Sequence, residues 1–200
     1  GAVSGGQDGV RNLNVFTNLA SGRIYVDRTW GNGVWNRNNA QLFENAGLIV
    51  LGANAPTGIT GILNDKPFTN LAGGEIQINQ PSNNGIENRG PGPGFPLSAG
   101  YLNNNGRILI APVASPVGHG IANIMSGTFV NGTGGEILIS PLSSATATAV
   151  HNASTFENRA CAKLTIADNL FNNSLFTNAG LFTVNTAQVH SNTALTNNGT

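Results

Sequence analysis

The chain has few charged residues, few aromatic residues and almost no cysteine. Charged side chains make up 9% of its 200 residues, against about 25% in typical globular domains, and nine basic residues balance nine acidic ones. A neutral chain of this kind lacks the field that draws proteins to nucleic acid or anionic membranes. Because Cys161 is the single cysteine, no internal disulfide can form. No apolar run reaches 18 residues, so we expect no membrane insertion.

The two ends of the sequence predict a fragment. Gly1 is not an initiator methionine, no signal peptide follows it, and Thr200 falls in the middle of a repeat. We therefore expect residues 1–200 to form a single repeat domain cut from a longer chain.

Asparagine and glycine are abundant, and they occur in two recurring phrases. The first phrase is Phe-x-Asn, then a Gly turn and alternating apolar residues; its asparagines are Asn18, Asn45, Asn70, Asn104, Asn131, Asn158 and Asn178. The second is a small residue, an aliphatic residue, any residue and Asn; its asparagines are Asn12, Asn36, Asn64, Asn88, Asn123, Asn152, Asn172 and Asn197. Successive asparagines of the second phrase are 24, 28, 24, 35, 29, 20 and 25 residues apart, about 26 on average.

The local period of two predicts short strands and no helices. Each repeat supplies three strands, which cannot bury a face alone but can when stacked coil on coil. The sequence therefore predicts an all-β, right-handed parallel β-helix of about seven three-strand coils. The two sets of asparagines should form two hydrogen-bonded ladders at the corners, with a phenylalanine column inside. Outside, Glu75, Arg107, Glu136 and Lys163 should align as a column of alternating sign.

These phrases, Gly-Ile-x-Asn and Phe-x-Asn-x-x-Gly-Gly-x-Ile-x-Ile, resemble the repeats of bacterial surface and secreted right-handed β-helices. The families concerned are the filamentous-haemagglutinin-like exoproteins and, more loosely, the pectin-lyase-like superfamily. The resemblance covers roughly residues 9 to 199. It implies an extracellular or cell-surface location and a structural or adhesive role. It implies no cofactor.

The residues that carry enzyme chemistry are scattered along the repeats. Glu44 and Glu157 share a strand position but lie four coils apart, too far for the paired carboxylates of a glycosidase. His119, His151 and His190 fall in different coils at non-equivalent positions, and are expected to be exposed loop residues rather than metal ligands. Cys161 replaces a turn glycine. We therefore predict no catalytic, metal or cofactor-binding residues.

Ligand contacts are expected where insertions break the repeat, because loops carry function on repeat scaffolds. One such segment is 27–39, with Trp30, Trp35 and Arg37; an exposed Trp beside polar groups suits a sugar ring. The other is 89–101, with Phe95 and Tyr101. The alternative interpretation is that these aromatic residues cover an open flank or contact a neighbouring subunit.

The sequence leaves three functions open. The first is a non-enzymatic adhesive module that contacts a surface glycan or a host or neighbouring cell surface. The second is a filament or sheath subunit that associates end to end, because open β-helix ends are unpaired strand edges. The third is a carbohydrate-active β-helix enzyme.

Overall fold

The protein, described here by a computed structural model, is a parallel β-helix. The structure describes residues 7–90, 100–112, 118–142, 147–185 and 187–200. In these ranges 23 short strands form three parallel sheets of eight, eight and seven strands, and no helix is present. Seven complete coils and two strands of an eighth confirm the predicted architecture.

Sheet A carries the aliphatic-x-Asn phrase. Its strands, in spatial order, are β1 (Val10–Asn12), β4 (Val34–Asn36), β7 (Thr60–Asn64), β10 (Asn84–Arg89), β13 (His119–Ile124), β16 (Thr148–Asn152), β19 (Leu170–Asn172) and β22 (Val189–Ser191). Every neighbouring pair is parallel, with ladder asparagines opposite each other up to Asn172. Small residues precede the aliphatic one because a Cβ at Gly85, for example, would lie 2.6 Å from the Gly120 carbonyl oxygen.

Sheets B and C carry the two parts of the other phrase. The strands of sheet B are β2 (Val15–Asn18), β5 (Leu42–Asn45), β8 (Phe68–Asn70), β11 (Tyr101–Asn104), β14 (Thr128–Asn131), β17 (Thr155–Asn158), β20 (Phe176–Asn178) and β23 (Leu195–Asn197). Those of sheet C are β3 (Arg23–Val26), β6 (Leu48–Leu51), β9 (Glu75–Ile78), β12 (Arg107–Ile110), β15 (Glu136–Ile139), β18 (Lys163–Ile166) and β21 (Leu181–Val184).

The two asparagine ladders are confirmed. In each, the Nδ2 of one residue donates to the Oδ1 of its equivalent in the next coil, at 2.8–2.9 Å from Asn12 to Asn172 and 2.6–2.8 Å from Asn18 to Asn197. The same Nδ2 groups also reach backbone carbonyls, as Asn123 does at Thr155. Because the interior asparagines are buried, these bonds satisfy amides that water does not reach.

One ladder assignment is wrong. Asn197 belongs to the second ladder, where it accepts from Asn178, and not to the first. The eighth strand of sheet A is β22, whose Ser191 stands in the asparagine position. There Asn172 donates to the hydroxyls of Ser191 and Thr193 instead of to another amide. The prediction failed because Leu195-Thr196-Asn197 fits both phrases equally well.

The core is the predicted column of phenylalanine, flanked by the aliphatic residues of sheets A and C. Phe16, Phe43 and Phe68 stack with ring centres 4.7 and 4.5 Å apart, and Phe129, Phe156 and Phe176 stack at 4.9 and 5.1 Å. Leu102 fills the intervening coil. On the outer face of sheet C, the register places Glu75, Arg107, Glu136 and Lys163 side by side, as predicted.

Turn geometry explains the position of Cys161. Gly73 and Gly134 occupy the same turn in other coils, with φ of 83° and 80°, and Cys161 adopts φ of 63° there. A non-glycine residue in this left-handed region is strained. Cys161 lies in a turn, as expected from its alignment with the glycines, and it is exposed.

Candidate ligand-binding surface on sheet A

Trp35 lies at the centre of a polar cluster on the outer face of sheet A. Its ring is half-buried rather than exposed, and its Nε1 donates to Asp65 Oδ2 at 2.9 Å. The guanidinium carbons of Arg37 and Arg11 lie 4.5 and 5.4 Å from the ring centre. The structure thus brings together two predicted residues, Trp35 and Arg37, and fixes the orientation of the indole.

Ion pairs hold this cluster across several coils. Asp65 accepts from Arg89 at 2.8 and 3.1 Å, and Arg89 also lies 3.7 Å from Glu87. Burial lowers the pKa of Arg89, but the hydrogen bond and charge of Asp65 outweigh it and raise the pKa overall. This network, which sequence reasoning missed, locks the side chains around Trp35 in one arrangement.

A second ion pair closes the cluster in the first coil. Arg11 donates to Asp8 Oδ2 through both Nε and Nη2, at 3.0 and 2.6 Å. Asp8 Oδ1 accepts from the backbone and side-chain amides of Asn32. Burial raises the pKa of Asp8, but these bonds together lower it below its ordinary value. Asp8 is therefore a carboxylate at neutral pH and neutralises Arg11.

Trp30 is the most accessible aromatic residue of segment 27–39. It lies in the connection from β3 to β4 and is 79% exposed. The connection in the next coil brings a second apolar residue, Ile59, which is 56% exposed and whose backbone N–H donates to the Gly31 carbonyl. Gly58 permits this approach, because a Cβ there would lie 2.5 Å from the Trp30 carbonyl oxygen.

The other predicted contact segment, 89–101, contains the aromatic residues Phe95 and Tyr101. Phe95 lies outside the described residues. Tyr101 begins β11 and is half-buried, with its side chain on the outer face of sheet B opposite Thr128. It therefore belongs to a different sheet from Trp35 and Arg37.

The prediction for the histidines was wrong in two respects. His151 and His190 occupy the same outer column of sheet A, on either side of Phe171. His119 and His151 are half-buried strand residues in contact, with ring centres 4.9 Å apart, and His119 Nδ1 lies 2.6 Å from Thr148 Oγ1. Burial and the charge of His151 lower the pKa of His119 to about 4, and burial lowers that of His151.

The two acids that share a strand position are far apart. Glu44 and Glu157 share an outer column of sheet B and are four coils apart, roughly 19 Å at the usual strand spacing, whereas glycosidase carboxylates lie about 5–9.5 Å apart. Among the described residues, no three His, Cys, Asp or Glu side chains converge as a metal site would require. A cleft of about 240 Å³ on sheet C, beside Arg107 and Leu138, contains no acid.

Within the described ranges, no helix has the length and hydrophobicity needed to cross a membrane. No protein-family model, curated protein or solved structure matches this chain.

Proposed function

We propose that this chain is a non-enzymatic, extracellular structural and adhesive module of a bacterial surface protein, which binds a surface glycan through segment 27–39. The observation that carries the proposal is the exposure of Trp30 on a rigid scaffold. An exposed indole, in a connection whose backbone is hydrogen-bonded to the next coil, offers a flat apolar surface on which a sugar ring can stack. Ile59 extends this surface beyond Trp30.

A glycan array tests the proposal. We expect the wild-type chain to bind a subset of surface glycans, and Trp30→Ala to weaken that binding at least about tenfold through loss of the stacking surface. Tyr25→Ala is the matched control, because Tyr25 is an aromatic residue 52% exposed on sheet C. Equal binding by wild type and Trp30→Ala, or no binding to any glycan, contradicts the proposal.

A second measurement addresses the carbohydrate-active alternative. The bound glycans are incubated with the chain and assayed for new reducing or unsaturated ends. Glu44 and Glu157 are four coils apart, and the neighbouring acids Asp65 and Glu87 are both paired with Arg89, so we expect none to be released. Release that depends on an acidic residue of the chain replaces the adhesive proposal with an enzymatic one.

End-to-end association is the second candidate function, and the direction of the ladders favours it. Every ladder Nδ2 of the described residues donates toward the later coil, so a second copy stacked in the same direction continues the row from donor to acceptor. A head-to-tail contact pairs donor with acceptor and parallel strand with parallel strand. Negative-stain microscopy over a range of concentrations tests it: fibres support assembly, and discrete particles at every concentration exclude it.

A further inference from the structure

Arg37 is the one charged residue of the Trp35 cluster without an ionic partner. All nine acids of the chain fall in the described ranges. In the cluster, Asp8 pairs with Arg11, while Asp65 and Glu87 pair with Arg89. No ion pair of the described residues includes Arg37, so its guanidinium has no carboxylate within ion-pair distance, although the three arginines and three acids of the cluster together carry no net charge.

Arg37 is held in place by Trp35 although it forms no ion pair. Its guanidinium carbon lies 4.5 Å from the Trp35 ring centre, a distance typical of cation–π contact. Its Nε is buried and has no hydrogen-bond acceptor. Because the residue as a whole is half-exposed, its terminal nitrogens are the ones that face solvent. The Trp35 ring thus contacts the guanidinium on one side, and the terminal nitrogens of Arg37 remain accessible to a ligand.

We propose that Arg37 binds the carboxylate of an acidic sugar, which rests on the glycan-binding function proposed above. The two terminal nitrogens of a guanidinium present parallel N–H groups that match the two oxygens of a planar carboxylate. A buried donor without an acceptor is uncommon in proteins, and a bound anion would compensate the charge next to it.

The acids of the cluster do not supply that anion. Glu87, two coils beyond Arg37, accepts from Asn84 and lies 3.7 Å from Arg89. Asp65, one coil along, is already bonded by Trp35 Nε1 and by two nitrogens of Arg89. Asp8 is bonded by Arg11 and by both amides of Asn32. Turning either carboxylate toward Arg37 breaks several charge-assisted hydrogen bonds to make one pair. An external carboxylate requires no such exchange.

The test compares a glucuronic-acid-terminated oligosaccharide with its methyl ester, which lacks the negative charge and adds only a methyl group. Affinities are measured by calorimetry for wild type, Arg37→Gln and the control Arg23→Gln, an exposed arginine on sheet C. We expect wild type and Arg23→Gln to prefer the acid by about tenfold, with the preference falling as salt rises. Arg37→Gln should bind acid and ester equally. Circular dichroism and a thermal melt verify that each variant is folded.

The possible results distinguish the role of Arg37 from the proposed glycan-binding function. Equal binding of acid and ester by wild type, or a preference that survives Arg37→Gln, overturns the role of Arg37 and leaves glycan binding intact. Tighter binding of a sulfated analogue than of the carboxylate overturns the choice of anion. Failure of wild type to bind any glycan overturns the proposed function itself. Trp30→Ala should weaken acid and ester alike, unlike Arg37→Gln.

Discussion

Two columns of side chains run along the same strands of sheet A, one facing the core and one facing outward, and they differ completely. The inner column is aliphatic in every coil: Val10, Val34, Ile62, Ile86, Ile121, Val150, Leu170 and Val189. The outer column, one residue later, is Arg11, Trp35, Leu63, Glu87, Ala122, His151, Phe171 and His190.

The difference follows from what each column contacts. An inner residue packs against its equivalents above and below, so a change of shape in one coil leaves a cavity or an overlap in the next. An outer residue contacts solvent on one side and tolerates variety. The residues that repeat in this chain are therefore those that stack, whereas the outer positions accommodate unlike residues such as Trp35.

The largest loss of stability is expected when an inner residue of a strand is replaced, and an outer residue of the same strand serves as the control. Asn104 accepts from Asn70 at 2.7 Å and donates to Asn131 at 2.8 Å. Asn104→Ala removes both bonds and leaves the buried Asn131 Oδ1 without its ladder donor, whereas Asn70 Nδ2 keeps the carbonyls of Gly74 and Arg107. We expect the free energy of unfolding to fall by about 2–4 kcal/mol, from about 1–3 kcal/mol for the unpaired Asn131 oxygen and about 1 kcal/mol for the lost bond from Asn70. Asn103→Ala is the control, because the outward Asn103 Oδ1 has no partner to lose. Equal losses from the two variants, measured by urea denaturation, refute the contrast.

The second effect concerns the outer histidines and pH. The folded pKa values of His119 and His151 lie below the unfolded value of 6.5, so the unfolded chain binds more protons as pH falls. Stability is complete above pH 6.5 and declines toward pH 4, by roughly 1–3 kcal/mol after allowance for solvent screening. The fall should appear in thermal melts between pH 7.5 and 4.5.

Matched variants assign this pH dependence to the histidine pair. Replacing both His119 and His151 with asparagine should flatten the curve over that range, while His190→Asn, at an exposed site, should not. Asp8 and Asp27, whose pKa values are lowered by hydrogen bonds despite burial, lose their contribution only at still lower pH. A decline that persists in the double variant assigns the effect to other groups.

A smaller effect is expected at the turn residue Cys161. Its φ of 63° suits glycine, the residue found in two equivalent turns. Cys161→Gly should raise the free energy of unfolding by about 0.5–1 kcal/mol, because relief of strain exceeds the added freedom of the unfolded chain. Cys161→Ala keeps the strain and should leave stability unchanged in the same denaturation experiment. A gain from alanine as large as that from glycine would show that the backbone is not the cause.

The smallest effect is expected in the charged column of sheet C. Arg107 lies 3.3 Å from Glu136 and 4.0 Å from Glu75, with all three side chains well exposed. Arg107→Ala should lower the free energy of unfolding by about 0.2–1 kcal/mol, and high salt should reduce the difference. A salt-independent loss indicates packing by the arginine stem instead.

Sequence patterns predicted the stacked interior because every buried position repeats. The two ladders, the phenylalanine column and the register of Glu75 with Arg107 all follow from aligning the coils on their asparagines. The same alignment failed in the last coil, where Ser191 replaces the ladder residue and Asn197 fits either phrase.

The outer surface was largely unpredicted because its contacts join unlike residues from different coils. One signal was present for part of it. The residues that follow the ladder asparagine in three successive coils are Arg37, Asp65 and Arg89, a column of alternating charge. The contact between His119 and His151 had no such signal, because His119 aligns with Thr148 rather than with another histidine.

The common direction of the two ladders has an electrostatic consequence. A carboxamide group carries a dipole comparable to that of a peptide unit, and here the side-chain dipoles are aligned head to tail through the interior. Hydrogen bonds in such a row polarise one another. The solenoid therefore contains a side-chain counterpart of the helix macrodipole, with its positive pole toward Asn197 and its negative pole toward Asn18. Backbone hydrogen bonds produce this polarity in a helix, whereas here it depends on one amide per ladder in each coil.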